Sequence, residues 1–405
     1  MNHSIPADIP ALDVQWVRQQ FSLPDDVAFF DNAGGSFTLR RVIQRVCEYM
    51  QETPIQLGAS HALSQRAAER QSESLSALAR LVDAPVEGLV AGPSASALVD
   101  RLGRALVGNW KPGDRVVVTD FDHEANISPW LRLREKGVEV DTWRLNRQSL
   151  RPEIEDLKAL LRESTRLVAC TQCSNVLGEA VELKDVTAAA RSAGAQVMVD
   201  GVAYAPHRPV GFSSLDVDYY VLSLYKVFGP HIGLLIGKPE RLRELSNINL
   251  EHLSKNDVPY KMQPGGACYE LVYGAAGIEH YLVELGNGSS AAGWQAIQRH
   301  ESLLTDRFLE GLREIPGVRI LGAAHINPAR LPIFSFTVDG HSSKSIISSL
   351  DQQKLYGRHG NFHAVRLIDA VGLDRADGAV RLSFAHYNSV DEVECLLGAL
   401  RQIVG

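Results

Sequence analysis

The chain has 405 residues, 45% of them hydrophobic and 22% charged, with a formal net charge of −7. That length exceeds one ordinary core and predicts two domains of a soluble globular protein. The acidic balance argues against a nucleic-acid or anionic-membrane surface, and no segment approaches the roughly 18 uninterrupted apolar residues of a membrane helix.

The first residues, "MNHSIPADIPALDVQW", lack a basic stretch followed by an apolar one, so no secretory signal is expected and a cytoplasmic location follows by default. Helical patterns come next, at about 39–53, 63–82 and 94–108. From about 115 to 237 short apolar runs alternate with helical patterns. "RVVVTDF", "VEVDTWRL", "RLVACTQ", "AQVMVDG", "VDYYVLSLY" and "IGLLIG" read as strands. "ISPWLRLREKG", "RPEIEDLKALLRES" and "LKDVTAAARSAG" read as helices. Alternation of this kind predicts crossover units and a mostly parallel sheet covered on both faces. A polar, irregular stretch, "NINLEHLSKNDVPYKMQPGG", precedes two helices at about 268–285 and 289–313. The tail mixes strands ("GVRILG", "LPIFSFTVDG", "GAVRLSF") with helices ("SKSIISSLDQQ", "VDEVECLLGALRQI"), which reads as a smaller α+β domain.

The five cysteines, Cys47, Cys170, Cys173, Cys268 and Cys395, are odd in number and scattered, unlike a disulfide framework. The single CxxC, "CTQC", follows an apolar run and is expected to finish a strand; a structural zinc would need a second ligand pair. His359 and His363 have the spacing of helical metal ligands, but Gly357 and Gly360 disfavour a helix, and no metal site is expected.

In open α/β sheets, ligands bind at the carboxyl ends of the strands. Here those ends carry His123 and Asn126, then Ser174 and Asn175, then Asp200, then Ser223, Tyr225 and Lys226. Each alone reads as a cap or turn residue. Together they fit one cofactor, pyridoxal 5'-phosphate. It needs a lysine for its Schiff base, a carboxylate beside its pyridine nitrogen, and donors for a phosphate. A helix N-terminus suits a phosphate, and "LVAGPSASALVDRLGRALVG" opens one at Ser94 and Ala95. Ser94 fits a helix cap and a phosphate contact equally well. No GxGxxG follows an early strand, which disfavours a nicotinamide dehydrogenase.

The same stretches resemble the class V branch of the fold-type I pyridoxal-phosphate enzymes, and most of all their cysteine desulfurase-like group. "FFDNAGGS" is similar to that family's opening segment. "DFDHEANISPW" resembles the segment with a ring-stacking histidine, here His123. "CSNVLGE" matches the one whose Asn bonds the ring hydroxyl, Asn175, and "VDGVAYAPH" the aspartate segment, Asp200. "SLYKVFGPHIG" matches the lysine loop, with Lys226 on the cofactor and Ser223 and Tyr225 at the phosphate. "AVRLSFAHYNSVDEV" matches the segment whose arginine holds the substrate carboxylate, Arg381. The resemblance implies a mostly parallel seven-stranded sheet in a large domain at 28–285, and a smaller α+β domain from 1–27 plus 286–405. It also implies an amino-acid substrate and a homodimer in which Gly266 of "MQPGGACYE" reaches the partner's phosphate.

Departures from the family pattern bear on the reaction. Desulfurases carry a nucleophilic cysteine on a loop ahead of the C-terminal arginine, and the matching "YGRHGNFHAVRLIDAVGL" has none. His359, Asn361 and His363 of that stretch are expected at the substrate end. Cys395 is expected to be buried in a helix, and Cys268 does not match the nucleophile's position. Ala203 replaces a polar residue of many relatives, and Tyr225 stands where desulfurases often have histidine. The expected activity is C–S bond cleavage by β-elimination on cysteine or a derivative, with Lys226 as the base at Cα. An aminotransferase, a racemase or epimerase, and a desulfurase with an unusual sulfur acceptor remain open. A non-catalytic relative is disfavoured by the intact Asp200, Lys226 and Arg381.

Overall fold

β1 (Ala28–Phe29) is the first of thirteen strands among the described residues, 12–325 and 327–405, of the computed structural model. Residues 1–11 of the expected small domain lie outside them. The large sheet is built from β2 (Leu89–Gly92), β3 (Arg115–Thr119), β4 (Glu139–Trp143), β5 (Thr165–Thr171), β6 (Gln196–Asp200), β7 (Tyr219–Ser223) and β8 (Gly233–Gly237). Their order is β2-β8-β7-β6-β5-β3-β4, all parallel except β8, which runs antiparallel to both neighbours. The expected seven-stranded, mostly parallel sheet is therefore present.

The apolar runs make this sheet because both faces are covered. Val116, Val118, Leu167, Ala169, Met198 and Val221 pack into one core. Their neighbours Val117, Val168, Cys170, Val197, Val199 and Leu222 alternate into the other. Fully burying each such valine or leucine contributes about 1.5–3 kcal/mol. Three local readings differ from the outcome. β2 is a four-residue edge strand, too short to carry a periodic signal. The helix expected from "ISPWLRLREKG" is α-helical only over Ser128–Arg132, then tightens into a 3₁₀ turn ended by Gly137 at φ +80°. The helix expected over 268–285 is two, Tyr269–Ala275 and Gly277–Leu285.

The second sheet contains β9 (Val318–Leu321), β10 (Ile333–Val338), β12 (Arg358–Gly360) and β13 (Ala379–Ser383), in the antiparallel order β12-β13-β10-β9. β11 (Leu355–Tyr356) instead pairs in parallel with β1. Helices Ser290–Arg313, Ser343–Gln352 and Val390–Val404 pack on this sheet around Phe308, Phe334, Phe336 and Phe384. Ala28 and Phe30 join this second core, whereas Val17 and Phe21 join the first.

Cys170 ends its run inside β5 and is fully buried. Cys395 corrects the expectation made for it: it lies in helix Val390–Val404 but on the exposed side. Among the described residues, no helix is long and apolar enough to cross a membrane, and no group of ligating side chains is placed to hold a metal ion.

Candidate active site

Strands β3, β5, β6 and β7 stop at one edge of the sheet, and each delivers a polar group to a single cleft. Thr171 ends β5 directly opposite Asp200, the last residue of β6. β7 ends at Ser223, and a 3₁₀ turn, Leu224–Lys226, brings the lysine round. Asp122 and His123 follow β3, and Asn175 follows β5. The cleft is lined by these residues with Ala95, Ser96, Ala203 and Tyr225. It opens into a chamber of about 510 Å³ lined by Gly34, Arg358, His359, Asn361, His363 and Arg381. That is room enough for an amino acid.

Lys226 is 8% exposed. Among the described residues its Nζ has no hydrogen-bond partner. Burial, and then the Arg381 charge, pull its pKa down from 10.5 to about 8, against the opposing pull of Asp200 and Asp31. Its backbone is pinned from the opening segment, since the Ser36 hydroxyl reaches the carbonyls of Tyr225 and Lys226 at 3.1 and 3.0 Å.

Asp200 is buried and accepts from the Val202 N–H at 2.8 Å. Asp122, also buried, accepts from the His123 N–H and the Asn126 side-chain amide, both at 2.7 Å. Burial raises both carboxyls, Asp200 to about 6 and Asp122 further because Asp200 faces it. Burial, with the charges of Lys226, His363 and Arg381, lowers His123 to about 3. Its Nδ1 accepts from the Ala125 N–H at 3.0 Å, so the ring proton sits on Nε2.

At the corner expected to take a phosphate, Ala95 and Ser96 open helix Ala95–Val107 into the cleft. The Ser94 hydroxyl caps the helix by accepting from the Ala97 N–H at 3.2 Å. The cap expected of Ser94 is present, and Ser96, which carries no signal in the sequence, also lines the cleft. Gly233 allows this corner to close, because a Cβ there would lie 2.4 Å from the Ser94 carbonyl carbon. Ser223 and Tyr225 face the same corner, and Tyr225 stacks on His231 with ring centroids 4.7 Å apart. Gly266 is not among the residues lining this chain's cleft or chamber.

Arg381, on β13, is 3% exposed. It donates to the Asn175 carbonyl and to Asp31, both at 3.3 Å, and its guanidinium lies 4.4 Å from the Phe362 ring centre. Asp31 also accepts from Arg358, at 2.6 and 2.8 Å. Neither Asp31 nor Arg358 carries a local signal in the sequence, although Asp31 lies in the opening segment "FFDNAGGS". Asn361 shapes its own loop, accepting from the His363 N–H at 3.0 Å and donating to the Arg375 carbonyl. His359 stands on β12 with its Nδ1 buried and without a partner.

The residues present fit pyridoxal phosphate. Two buried carboxylates face each other beside a single lysine, an arrangement that a cationic ring nitrogen would relieve. The buried Asn175 Oδ1 has no donor, and a ring hydroxyl would supply one. A 13-residue helix offers its N-terminus next to two hydroxyl-bearing side chains, Ser223 and Tyr225.

The model of the family described as Aminotransferase class-V matches residues 28–396. The chain is 36% identical to aminotransferase-like protein FGM3 of Gibberella zeae, over 97% of this chain and 99% of that one. It is 31% identical to cysteine desulfurase-like protein ustD of Aspergillus flavus, over 100% of this chain and 94% of the other. The apo structure of the cysteine desulfurase from Thermococcus onnurineus NA1 superposes with a TM-score of 0.89 at 26% identity, covering 98% of each chain. With Lys226 and Asp200 meeting in one cleft and the family match spanning nearly the whole length, the chain belongs to the class-V aminotransferase family as a pyridoxal-phosphate-dependent enzyme of the cysteine desulfurase-like group.

Proposed function

We propose that the enzyme cleaves the C–S bond of cysteine or a cysteine derivative by β-elimination, releasing the sulfur as a thiol or sulfenate. One observation carries this reading: among the described residues, no cysteine lines the substrate chamber. Cys173 alone lines the inner cleft, and burial pushes its thiol up to about 12, so it stays protonated and unreactive. Cys47, Cys268 and Cys395 are exposed but outside both linings.

In this reading Arg381 holds the substrate carboxylate, and His359, Asn361 and His363 line the side-chain end. Asp200 would pair with the cofactor's ring nitrogen, Asn175 would accept from its hydroxyl, and His123 would stand beside its ring. Ala95, Ser96, Ser223 and Tyr225 would hold its phosphate. When bound, pyridoxal phosphate supplies the electron sink that stabilises negative charge at Cα. In its neutral form, which burial favours, Lys226 takes the Cα proton, and the C–S electrons then leave with sulfur. Incubation with cysteine and with S-alkyl cysteines should release pyruvate, ammonia and the thiol in equal amounts. Alanine formed in place of pyruvate would instead indicate sulfur transfer.

The functional form we infer is a homodimer. Ile43, Cys47 and Met50 are exposed on helix Arg40–Glu52 at spacings of four and three, which puts an apolar stripe on one face. In that dimer Gly266 would reach the partner's cleft. Light scattering should give twice the chain mass, and Met50→Glu should lower it. The five unpaired cysteines suit a reducing cytoplasm.

A further inference from the structure

We propose that the His363 imidazole donates the proton taken up by the departing sulfur, a role that rests on the C–S cleavage reading above. With the substrate carboxylate at Arg381 and its Cα at Lys226, the loop at 358–363 forms most of the remaining wall of the chamber, together with Ala33, Gly34, Arg375 and Ala376. Three histidines stand in that chamber, and two are unsuited to give up a proton. His123 is held neutral, and its Nδ1 is committed to the Ala125 N–H. His359 has its Nδ1 buried without a partner and is less open to solvent than His363. His363 is exposed, so water can return a proton to it after each turnover. Its ring lies 5.4 Å from that of His123, at the mouth of the inner cleft, where a substrate side chain would leave.

The backbone holds this placement at a cost. Phe362 and His363 are consecutive non-glycine residues in the left-handed region, at φ +54° and +55°. Such conformations persist where surrounding contacts over-determine them, and they concentrate at functional sites. Here the Asn175 side-chain amide donates to the Phe362 carbonyl at 2.9 Å, and the Glu124 N–H donates to the His363 carbonyl at 2.8 Å. The Phe362 ring lies against Arg381. The loop is thus tied to the residues that hold the ring hydroxyl and the carboxylate, and its strain fixes His363 relative to both.

The step balances. Lys226 takes the Cα proton, the C–S bond breaks with its electron pair going to sulfur, and the proton on His363 forms the new S–H bond. Solvent then reprotonates the imidazole.

A thiolate that is stable unprotonated needs no donor, so the leaving group tests the role. His363→Asn keeps a residue that tolerates left-handed backbone. Loss of a general acid should slow cleavage of S-ethylcysteine by about 100-fold and of S-(4-nitrophenyl)cysteine by less than about threefold. The visible absorbance of the bound cofactor should be unchanged. Equal losses on both substrates, or full activity on S-ethylcysteine, would overturn the assignment. Without any variant, the unaltered enzyme should cleave the two substrates at similar rates, and a strong preference for the nitrophenyl substrate would also overturn it. If the unaltered enzyme cleaves neither, it is the C–S cleavage reading that fails.

Discussion

Lys226→Ala is expected to lower turnover by at least about 10⁴-fold, because the proposed mechanism gives one amine the roles of both cofactor tether and general base. The variant should still fold and should bind the cofactor through Asp200 and the phosphate corner alone, losing the visible band of the lysine adduct. Turnover within tenfold of the unaltered enzyme would refute the assignment. The depressed pKa adds a pH signature. Only the neutral amine attacks an aldehyde, so cofactor uptake by the cofactor-free protein should rise about tenfold per pH unit up to about 8 and then level off. An ordinary lysine would keep climbing beyond pH 10. The stability effect has a defined sign. Between about 8 and 10.5 the unfolded chain binds the proton and the folded one does not, so stability of the cofactor-free protein rises with pH across that window.

The cleft was legible in the sequence because its residues are local punctuation of strong strand signals. Asp200 and Lys226 each end an apolar run, and parallel strands bring such ends together regardless of how far apart they lie in sequence. What stayed hidden depends on contacts that no local pattern encodes. The Ser94 hydroxyl fits a cap or a ligand equally well, and only the fold shows that it caps the Ala97 N–H while Ser96 lines the cleft. Asp122 sits beside the conspicuous His123, and its significance arises only when β6 places Asp200 opposite. The left-handed backbone at Phe362 and His363 carries no glycine to announce it. Arg358 and Asp31 are 327 residues apart, and they meet because β12 pairs with β13 next to the opening segment.

That last pair leads to the second large effect: Asp31→Asn should destabilise the protein by about 3 kcal/mol and raise KM for the amino acid more than it lowers kcat. Asp31 is 7% exposed and neutralises two arginines. The Arg358 side chain is 57% exposed and can turn to water, so losing its partner costs little. Arg381 cannot turn away. It is buried, its Nε already lacks a partner, and burial lowers its pKa to about 10 while Asp31 opposes that shift. Without the carboxylate, the guanidinium loses both its counter-charge and its orientation, and so binds the substrate carboxylate poorly. The local turn is built for this contact, since a Cβ on Gly34 would lie 2.8 Å from the Asp31 Oδ2. Gly34→Ala should therefore reproduce part of the KM effect without altering any charge. A double-mutant cycle with Arg381→Gln separates the two roles of Asp31. If Asp31 acts through Arg381, the double variant should lose much less than the sum of the single variants; additive losses would mean that Asp31 serves only to close the chain onto β13.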